Sequence, residues 1–393
     1  MIRVALLKHS IDKFVINSNR LNYHYSFAAI ASAVRQLDWF MAAAASMLVV
    51  FGLLALYSLD GGVVGLGSKV FKQAGWIAVS FSAFIVFSMM DYNQLRKSAT
   101  FLFLFALGFL AAVLIVGQTT HGTTGWIRFG PLGFQPVELV KIILIIVLAK
   151  FLSRTDFSVA RSIIMSLVFT AILFGLVMLQ PDLGSGILFM FIWFGLIIFR
   201  GISWRWLAIL LILAAILGAA GWTILEPYQK DRILTFLDPF QDSSRSDSSY
   251  QAIQSIVAVG SGQIFGRGLG SGSQSQLHFL PEASTDFVFA AIAEEFGFLG
   301  IALFFSALFV IFYRLYIAAK TSRDDFGYLV ISGFFVLIAC ETIINSAMNV
   351  GLFPIMGIPL PLVSYGGSSL LSTFIGLGIV QSIYRQRKAL KLA

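Results

Sequence analysis

The chain consists mostly of long apolar runs separated by short polar or charged segments. A helix needs about 20 predominantly apolar residues to cross a bilayer, and in lipid its backbone polar groups are satisfied internally. The predicted fold class is therefore an all-α integral membrane protein. Windows of this length predict about ten transmembrane helices, near 38–58, 69–90, 99–118, 134–153, 161–180, 184–200, 204–224, 286–313, 327–349 and 361–384.

One predicted connection is much longer than the others. Residues 225–285, between the seventh and eighth predicted helices, form a large extracytoplasmic loop, and loops of this length are usually functional or disordered. After a Ser-rich piece at 242–249, Ile253, Ile256 and Val257 recur at helical spacing, which predicts an interfacial helix within the loop. The predicted organisation is an N-terminal tail at 1–37, a polytopic membrane domain at 38–387 and a C-terminal tail at 388–393.

The composition excludes the soluble classes of protein. Of the 393 residues, 58% are hydrophobic and only 12% are charged, against roughly 25% charged in soluble domains. The mean hydropathy is +0.88. Too little polar surface remains to cover a water-facing globule, and disordered, fibrous and disulfide-stabilised classes are excluded as well. The single cysteine, Cys340, cannot form an intramolecular disulfide, and the four histidines are scattered without the spacing of metal ligands.

The charge distribution predicts the orientation in the membrane. The net charge is +8, but the basic residues punctuate apolar segments instead of clustering among aromatics, which favours a membrane over a nucleic-acid partner. Most of the 27 lysines and arginines fall in alternate connecting segments and in the two tails. Under the positive-inside rule these segments are cytoplasmic, so both termini are predicted in the cytoplasm and the loop at 225–285 outside. The first 37 residues do not resemble a removable signal peptide.

Two sets of polar residues fall inside predicted spans, where each has an energetic cost and calls for a role. Glu138 and Lys141 lie at i and i+3 of the fourth span, so they are expected to pair, either as a purely structural ion pair or as part of a site. Glu341, Asn345 and Asn349 lie at i, i+4 and i+8 of the ninth span and form one polar stripe. Such a stripe favours hydrogen bonding to neighbouring helices over substrate contact, and it is expected to face the interior.

Other candidate residues lie at the predicted outer edge of the membrane. Arg128 is a cation suited either to a phosphate or to anchoring at the interface. Asp182 is suited to capping a helix. Arg267 lies in a Gly-rich segment at 266–270 that lacks the βαβ context of a nucleotide loop. Asp286 lies at the start of the eighth span, where the helix dipole favours a carboxylate, and a simple cap is the more economical interpretation of its spacing alone.

Taken in order, the motifs of this chain resemble those of the shape, elongation, division and sporulation (SEDS) family of bacterial glycosyltransferases, the group of RodA and FtsW. The resemblance covers about residues 38–387. It rests on Gly-Trp-Ile at 125–127, Phe-Gln-Pro-Val-Glu-Leu-Val-Lys at 134–141, Gln-Pro-Asp-Leu-Gly at 180–184, Tyr-Gln at 250–251, Gln-Ser at 254–255, Leu-Pro-Glu at 280–282, Thr-Asp-Phe at 285–287, Gly-Ile-Pro-Leu-Pro at 357–361 and Ser-Tyr-Gly-Gly-Ser-Ser at 364–369.

Within this family, the Gln-Ser-Gln-Leu segment at 274–277 resembles the corresponding segment of the elongation-type members more than that of the division-type members. The chain departs from the usual family pattern at Met356, at Ser284 and across 242–249.

The resemblance implies polymerisation of lipid II into peptidoglycan strands for cell elongation and shape, at the outer face of the bacterial cytoplasmic membrane. It also implies partners, namely a class B penicillin-binding protein as transpeptidase and other elongation or division complex proteins. By its place in the family motif, the resemblance implies that Asp286 is the catalytic carboxylate. This role agrees with the chemistry, since a sugar 4-hydroxyl is a poor nucleophile until a positioned carboxylate accepts its proton. Inversion at the donor sugar requires no second carboxylate. The remaining substrate-binding candidates are Arg128, Glu138, Lys141, Asp182, Arg245, Gln254, Ser255, Arg267, Ser364 and Tyr365.

The leaving diphosphate needs positive charge, for which Arg128, Lys141, Arg245 and Arg267 are candidates. No cofactor is evident from the sequence and the metal ligands are unknown, although a divalent cation could assist. Three alternatives stay open: a division- or sporulation-type polymerase, a flippase or transporter of lipid-linked precursors, and a non-enzymatic scaffold for a transpeptidase. The Gly, Pro and carboxylate motifs crowd the predicted outer edge, which favours chemistry there over transport across the bilayer.

Overall fold

A computed structural model describes residues 36–65, 67–120, 123–129, 132–154, 158–223, 227–237, 247–277 and 279–388. Arg245, most of the Ser-rich piece at 242–249 and most of both predicted tails lie outside the described residues. The described elements are α1 (Trp39–Leu59), α2 (Lys69–Met89), α3 (Tyr92–Val116), β1 (Gln118–Thr120), β2 (Thr123–Phe129), β3 (Leu132–Phe134), α4 (Pro136–Leu152), α5 (Val159–Met178), α6 (Leu183–Phe199), α7 (Trp204–Gly221), α8 (Pro227–Leu237), α9 (Asp247–Ser261), α10 (Ser273–Gln276), α11 (Val288–Lys320), α12 (Asp325–Asn349) and α13 (Gly367–Lys388).

The predicted helical membrane fold is confirmed, because a helix lies at each predicted span. Within the described part of the chain, seven helices are long and apolar enough to cross a membrane: α1, α2, α3, α5, α11, α12 and α13. Helix α6 and the first part of α7 are shorter apolar helices, and α4 carries three charged residues. The helix predicted within the long loop is α9. Helix α3 starts before its predicted span because Asp91 caps a polar first turn, which an apolar window does not detect.

The helices differ in how far protein surrounds them. Helix α4 is buried along almost its whole length, and residues 140–149 are all buried. Its apolar residues cover every face, which is typical of a helix in the centre of a bundle. Of the residues in the most apolar stretch of each helix, 72% are buried in α12 and 83% in α13, but only 17% are buried in α2. Helices α4, α12 and α13 therefore form the interior, and α2 presents most of its surface to the surroundings.

We call one end of the bundle the loop-rich end, because it carries the described parts of the connections at 60–68, 117–135, 179–182, 222–287 and 350–366. A three-stranded antiparallel sheet with strand order β1-β2-β3 lies at this end, a feature that the sequence analysis did not predict. The backbone N–H of Thr124 in β2 donates to the Gln180 carbonyl at 3.2 Å. The sheet is thereby joined to the loop that precedes α6.

A break in α11 fixes part of the long loop to the bundle. Gly297 has φ 65° and ψ −162°, in the left-handed region that favours glycine. The carbonyl groups of Glu294 and Glu295, just before the break, accept from the backbone N–H groups of Arg267 (2.9 Å) and Gly268 (3.0 Å). A Cβ at Gly297 would collide with the backbone of Gly266. The Gly-rich segment that superficially resembles a nucleotide loop therefore packs against α11.

An ion pair joins three helices at the opposite end. Asp38 caps α1 by accepting from the Met41 N–H at 3.2 Å. Its Oδ2 also lies 2.6 Å from Arg314 Nη2 on α11, and the same Arg314 nitrogen donates to the Tyr384 hydroxyl on α13 at 2.9 Å. Because one carboxylate serves as helix cap and ion-pair partner, this contact connects the ends of α1, α11 and α13.

We expect the loop-rich end to face outward, because the cationic segments predicted to be cytoplasmic lie at the other end. The test is cysteine labelling in a Cys340→Ser background. Ser271→Cys, at an exposed position of the long loop, should react with an impermeant reagent on intact cells, whereas Arg323→Cys, exposed between α11 and α12, should react only after permeabilisation. The reverse pattern would contradict the predicted orientation.

Candidate active site

The segment at 280–287 leads into α11 at the loop-rich end. Leu280, Ala283 and Phe287 are buried and pack in one cluster with Ala258 of α9. Asp286 is only half-buried. The N-cap position of α11 is occupied by Phe287, so Asp286 lies one residue outside the helix. The geometry therefore does not support the simple N-cap interpretation of Asp286 that its spacing suggested.

Two asparagines of α12 bind the backbone of Asp286. Asn345 Nδ2 donates to the Asp286 carbonyl at 2.9 Å and to the Ile358 carbonyl at 2.7 Å. Asn349 Nδ2 donates to the same Asp286 carbonyl at 3.0 Å. Both asparagines are fully buried. The expectation that this stripe faces the interior is confirmed, and its amide groups fix the main chain of the candidate catalytic residue.

The second asparagine also joins α9 and α11. Asn349 Oδ1 accepts from the Ala290 N–H at 3.1 Å and from Ser255 Oγ at 3.3 Å. Ser255 Oγ further donates to the Asn349 carbonyl at 2.8 Å. Gln254 lies beside Ser255 on α9 and is half-buried. Ser255, a substrate-binding candidate, is thus buried inside the network that supports Asp286.

The segment at 350–366 contacts the Asp286 region from another side. Ser364 Oγ donates to the Thr285 carbonyl at 2.6 Å and accepts from the Leu360 N–H at 2.8 Å. The Tyr365 N–H donates to the Ser284 carbonyl at 2.8 Å. Burial, and then the nearby charge of Asp60, raise the pKa of the Tyr365 phenol above its usual value.

Glycine is required close to the carboxylate. Gly357 has φ 67°, a conformation that side chains other than glycine rarely adopt. A Cβ at this position would lie 3.5 Å from Asp286 Oδ2. The bare backbone of Gly357 therefore forms one wall beside the Asp286 carboxylate. Gln73 of α2 fixes the end of the same segment, since its Nε2 lies 3.4 Å from the Ser364 carbonyl.

Asp182 acts as a helix cap, as its sequence position predicted. Its Oδ1 accepts from the Ser185 N–H at 3.0 Å, and its Oδ2 accepts from Ser185 Oγ at 2.8 Å. Oδ2 also accepts from Gln135 Nε2 at 3.2 Å, which joins the start of α4 to the start of α6. These contacts account for the carboxylate, and its role in substrate binding stays a prediction.

The predicted pair on α4 is confirmed and proves to be a cluster of three. Lys141 Nζ lies 2.9 Å from Glu138 Oε1 and 2.6 Å from Glu341 Oε1 on α12. The exposed fractions of these side chains are 1% for Lys141, 4% for Glu138 and 2% for Glu341. Lys141 is enclosed by carboxylates in the bundle interior, which favours the ion-pair interpretation. Its assignment to the diphosphate stays a prediction.

The other cationic candidates occupy different places. Arg128 is exposed on β2. Arg267 is exposed after α9, and its Nε donates to the Ser261 carbonyl at 3.3 Å. Arg245 lies outside the described residues. The contacts given above bring Ser255, Ser364 and Tyr365 to the Asp286 region. Arg128 and Arg267 make none of these particular contacts.

Gln73 and the two asparagines are site residues that no sequence motif indicated. A polar side chain inside an apolar window is the one signal that could have found Gln73. Among the described residues, no group of three or more His, Cys, Asp or Glu side chains could hold a metal ion. Mg²⁺ commonly binds one or two carboxylates together with substrate phosphates, so it does not need a group of three protein ligands. The divalent cation therefore stays a prediction. Glu282 and Asp286 are the carboxylates of the 280–287 segment.

These features define a polytopic helical membrane protein with a half-buried carboxylate at one end of the bundle. The sequence profile of the FtsW, RodA and SpoVE family, described as cell cycle proteins, matches residues 38–389. The chain belongs to this family, which is the SEDS group that the motifs indicate.

Individual relatives agree with this assignment. Peptidoglycan glycosyltransferase MrdB of Escherichia coli is 34% identical over 348 residues, covering 87% of this chain and 92% of the relative. A probable peptidoglycan glycosyltransferase FtsW of Pseudoalteromonas translucida is 35% identical, covering 78% of this chain and 77% of the relative.

Solved structures are similar too. A chain from a peptidoglycan synthase complex described as coordinating polymerization and crosslinking has a TM-score of 0.77 and 30% identity, covering 89% of this chain and 98% of that chain. The rod shape determining protein RodA of Thermus thermophilus has a TM-score of 0.67 and 27% identity, covering 89% and 97%.

We expect Asn345→Asp to reduce both stability and activity. The substitution places acceptor oxygens against the carbonyl groups of Asp286 and Ile358, and leaving buried groups unpaired costs about 1–3 kcal/mol each. Thermal unfolding in detergent and a glycan polymerisation assay measure the two effects. Gln94→Glu, which changes an exposed amide to a carboxylate at the opposite end of the bundle, is the control and should behave as wild type. Equal behaviour of both variants would contradict the proposed support of Asp286.

Lys141→Met should strongly destabilise the protein, because it leaves two carboxylates unpaired in the bundle interior. Breaking a buried ion pair from one side typically costs about 3–5 kcal/mol. The unfolding temperature and the yield of folded protein measure the loss, with Lys150→Met on the same helix as control. The triple variant that adds Glu138→Gln and Glu341→Gln should recover most of the stability. A failure to recover would show that the charge imbalance is not the cause.

Proposed function

We propose that this chain is a peptidoglycan glycosyltransferase that polymerises lipid II with Asp286 as its general base. The observation that carries the proposal is the support of Asp286: its carbonyl accepts from two buried asparagines, while its side chain is half-buried beside Gly357. A fixed main chain with an accessible carboxylate is what a positioned base requires. The relatives named as peptidoglycan glycosyltransferases support the same activity.

The chemistry is a single displacement at the anomeric carbon of the donor sugar. The 4-hydroxyl oxygen of the acceptor attacks this carbon, the bond from the carbon to the diphosphate breaks, and its electron pair stays on the diphosphate. The hydroxyl proton passes to the Asp286 carboxylate. One displacement inverts the anomeric configuration, so one base suffices. Fixing base and substrates in a reactive geometry provides a large part of the acceleration.

The leaving diphosphate gains negative charge as the bond breaks, and cations placed near it lower the barrier. Arg128, Arg245, Arg267 and Lys141 are the candidates from the sequence, with a divalent cation as a further contributor. Arg128 and Arg267 are exposed at the loop-rich end, which suits contact with an anionic lipid-linked substrate. Lys141 is the weakest candidate because two carboxylates already neutralise it.

In this proposal the reaction takes place at the outer face of the cytoplasmic membrane, and both termini of the chain are cytoplasmic. A class B penicillin-binding protein would crosslink the strands, and a relative solved within a peptidoglycan synthase complex supports such a partner. A single-span partner would contact the lipid-facing helical surface. The α12 stripe is unsuited to that contact because Glu341, Asn345 and Asn349 are buried. An elongation role follows the resemblance at 274–277, and other elongation or division proteins would join the complex.

Asp286→Asn should abolish lipid II polymerisation while the protein remains folded. The amide has nearly the same size and leaves the main-chain hydrogen bonds intact, but it cannot accept the acceptor proton at neutral pH. Polymer formation by purified protein, with and without its transpeptidase partner, is the measurement. Asp325→Asn, an exposed carboxylate at the start of α12, is the matched control and should retain full activity.

Substantial polymerisation by Asp286→Asn protein would eliminate the general-base assignment. Wild-type protein that moves lipid II between leaflets without forming polymer would instead favour the flippase alternative. Wild-type protein that does neither but stimulates a partner transpeptidase would favour a scaffold.

A further inference from the structure

Lys69, the first residue of α2, reaches the segment that carries Asp286. Its Nζ donates to Ser284 Oγ at 3.0 Å, and Ser284 precedes Asp286 by two positions. The backbone N–H of Lys69 donates to Asp60 Oδ2 at 2.6 Å, so the Asp60 carboxylate lies at the N-terminus of the helix. No role for Lys69 follows from the sequence alone, because its side-chain partner Ser284 lies 215 residues away along the chain.

The charge of Lys69 is available to an anionic ligand. Its side chain is exposed, and it makes no ion pair with the carboxylates that the structure describes. An ammonium group has three N–H donors, and Ser284 accepts from one of them. The nearby Asp60 carboxylate contacts the backbone of Lys69. Lys69 thus differs from Lys141, which two carboxylates enclose.

Ser284 gives Lys69 a firm anchor. The Ser284 side chain is buried, and its carbonyl accepts from the Tyr365 N–H at 2.8 Å. The next residue, Thr285, is fixed through its carbonyl by Ser364 Oγ at 2.6 Å. The cation and the Asp286 carboxylate are therefore attached to one short, well-supported stretch of main chain, so their relative positions are constrained.

We propose that Lys69 binds the diphosphate of the polyprenyl-linked sugar donor and stabilises it as it leaves. The inference rests on the proposed glycosyltransferase function and adds a substrate-binding residue to it. When the anomeric carbon–oxygen bond breaks, the electron pair remains on the diphosphate, and a fixed ammonium group nearby stabilises that developing charge. The proton of the acceptor goes separately to Asp286, so the cation and the base act on opposite sides of the displacement.

A purely structural role makes a different prediction. If Lys69 only braces the loop through Ser284, a neutral side chain that can still donate a hydrogen bond should suffice. Lys69→Gln keeps such a donor but removes the charge, whereas Lys69→Arg keeps the charge. The two variants therefore separate electrostatic binding of diphosphate from support of the loop.

The experiment uses the full chain purified in detergent and measures kcat and KM for lipid II polymerisation. Binding of a polyprenyl diphosphate, with the monophosphate as comparison, is measured separately by its effect on the unfolding temperature, which needs no turnover. Lys69→Gln should lower kcat/KM by at least about tenfold and weaken diphosphate binding more than monophosphate binding. Lys69→Arg should retain most of both. Lys72→Gln, one turn further along α2, should match wild type.

Wild-type kinetics and binding in Lys69→Gln would overturn the proposal, and so would an equal loss in Lys72→Gln, which would indicate general surface charge. An equal loss in Lys69→Gln and Lys69→Arg would also overturn it. Failure of the wider function is distinguishable: the glycosyltransferase function fails if wild-type protein forms no polymer, whereas only the general-base assignment fails if Asp286→Asn forms as much polymer as wild type. The diphosphate-binding measurement still decides the role of Lys69 in that case.

Discussion

The hydrogen bonds from Asn345 and Asn349 to the Asp286 carbonyl connect the membrane core to the site. Helix α12 is held in the interior by Glu341, whose carboxylate pairs with Lys141 of α4. The two asparagines follow Glu341 on the same face, at one-turn intervals. The ion pair and the amide bonds thus lie on one rigid helix. Where α12 lies relative to α4 determines where Asp286 lies.

The energetic cost of polar groups in lipid explains why the polar stripe of α12 is held in a single position. A charged or amide side chain facing hydrocarbon is expensive, and so is a buried one without a partner. Each member of the stripe has described partners: Lys141 for Glu341, the Asp286 and Ile358 carbonyls for Asn345, and the Asp286 carbonyl, Ser255 of α9 and the Ala290 N–H of α11 for Asn349. A small rotation or shift of α12 would break several of these contacts together, so the network fixes the helix as well as the site.

The surrounding loops divide into supported and exposed parts. The 262–277 stretch is fixed to α11, since Glu294 accepts from the N–H groups of Gln274 (2.9 Å) and Ser275 (3.0 Å), and Glu295 accepts from Ser58 and from Gln276. The exposed cations Lys69, Arg128 and Arg267 lie at the same end. A supported carboxylate and exposed cations at the same end of the bundle suit a lipid-linked anionic substrate.

The amino-acid sequence by itself determined the helical membrane fold, the family and most helix positions, because these depend on local properties: apolar length, capping residues such as Asp182 and motifs in a fixed order. It also predicted the Glu138–Lys141 pair, which lies within one helical turn. Only the tertiary structure decided that Glu341 joins this pair across 200 residues of chain, that Asn345 fixes Asp286, and that Lys69 reaches Ser284 across 215 residues. The small sheet after α3 likewise depends on pairing between strands. The physical reason is that a side chain's partner is set by how helices pack in space, and one sequence without that packing leaves many partners equally suitable.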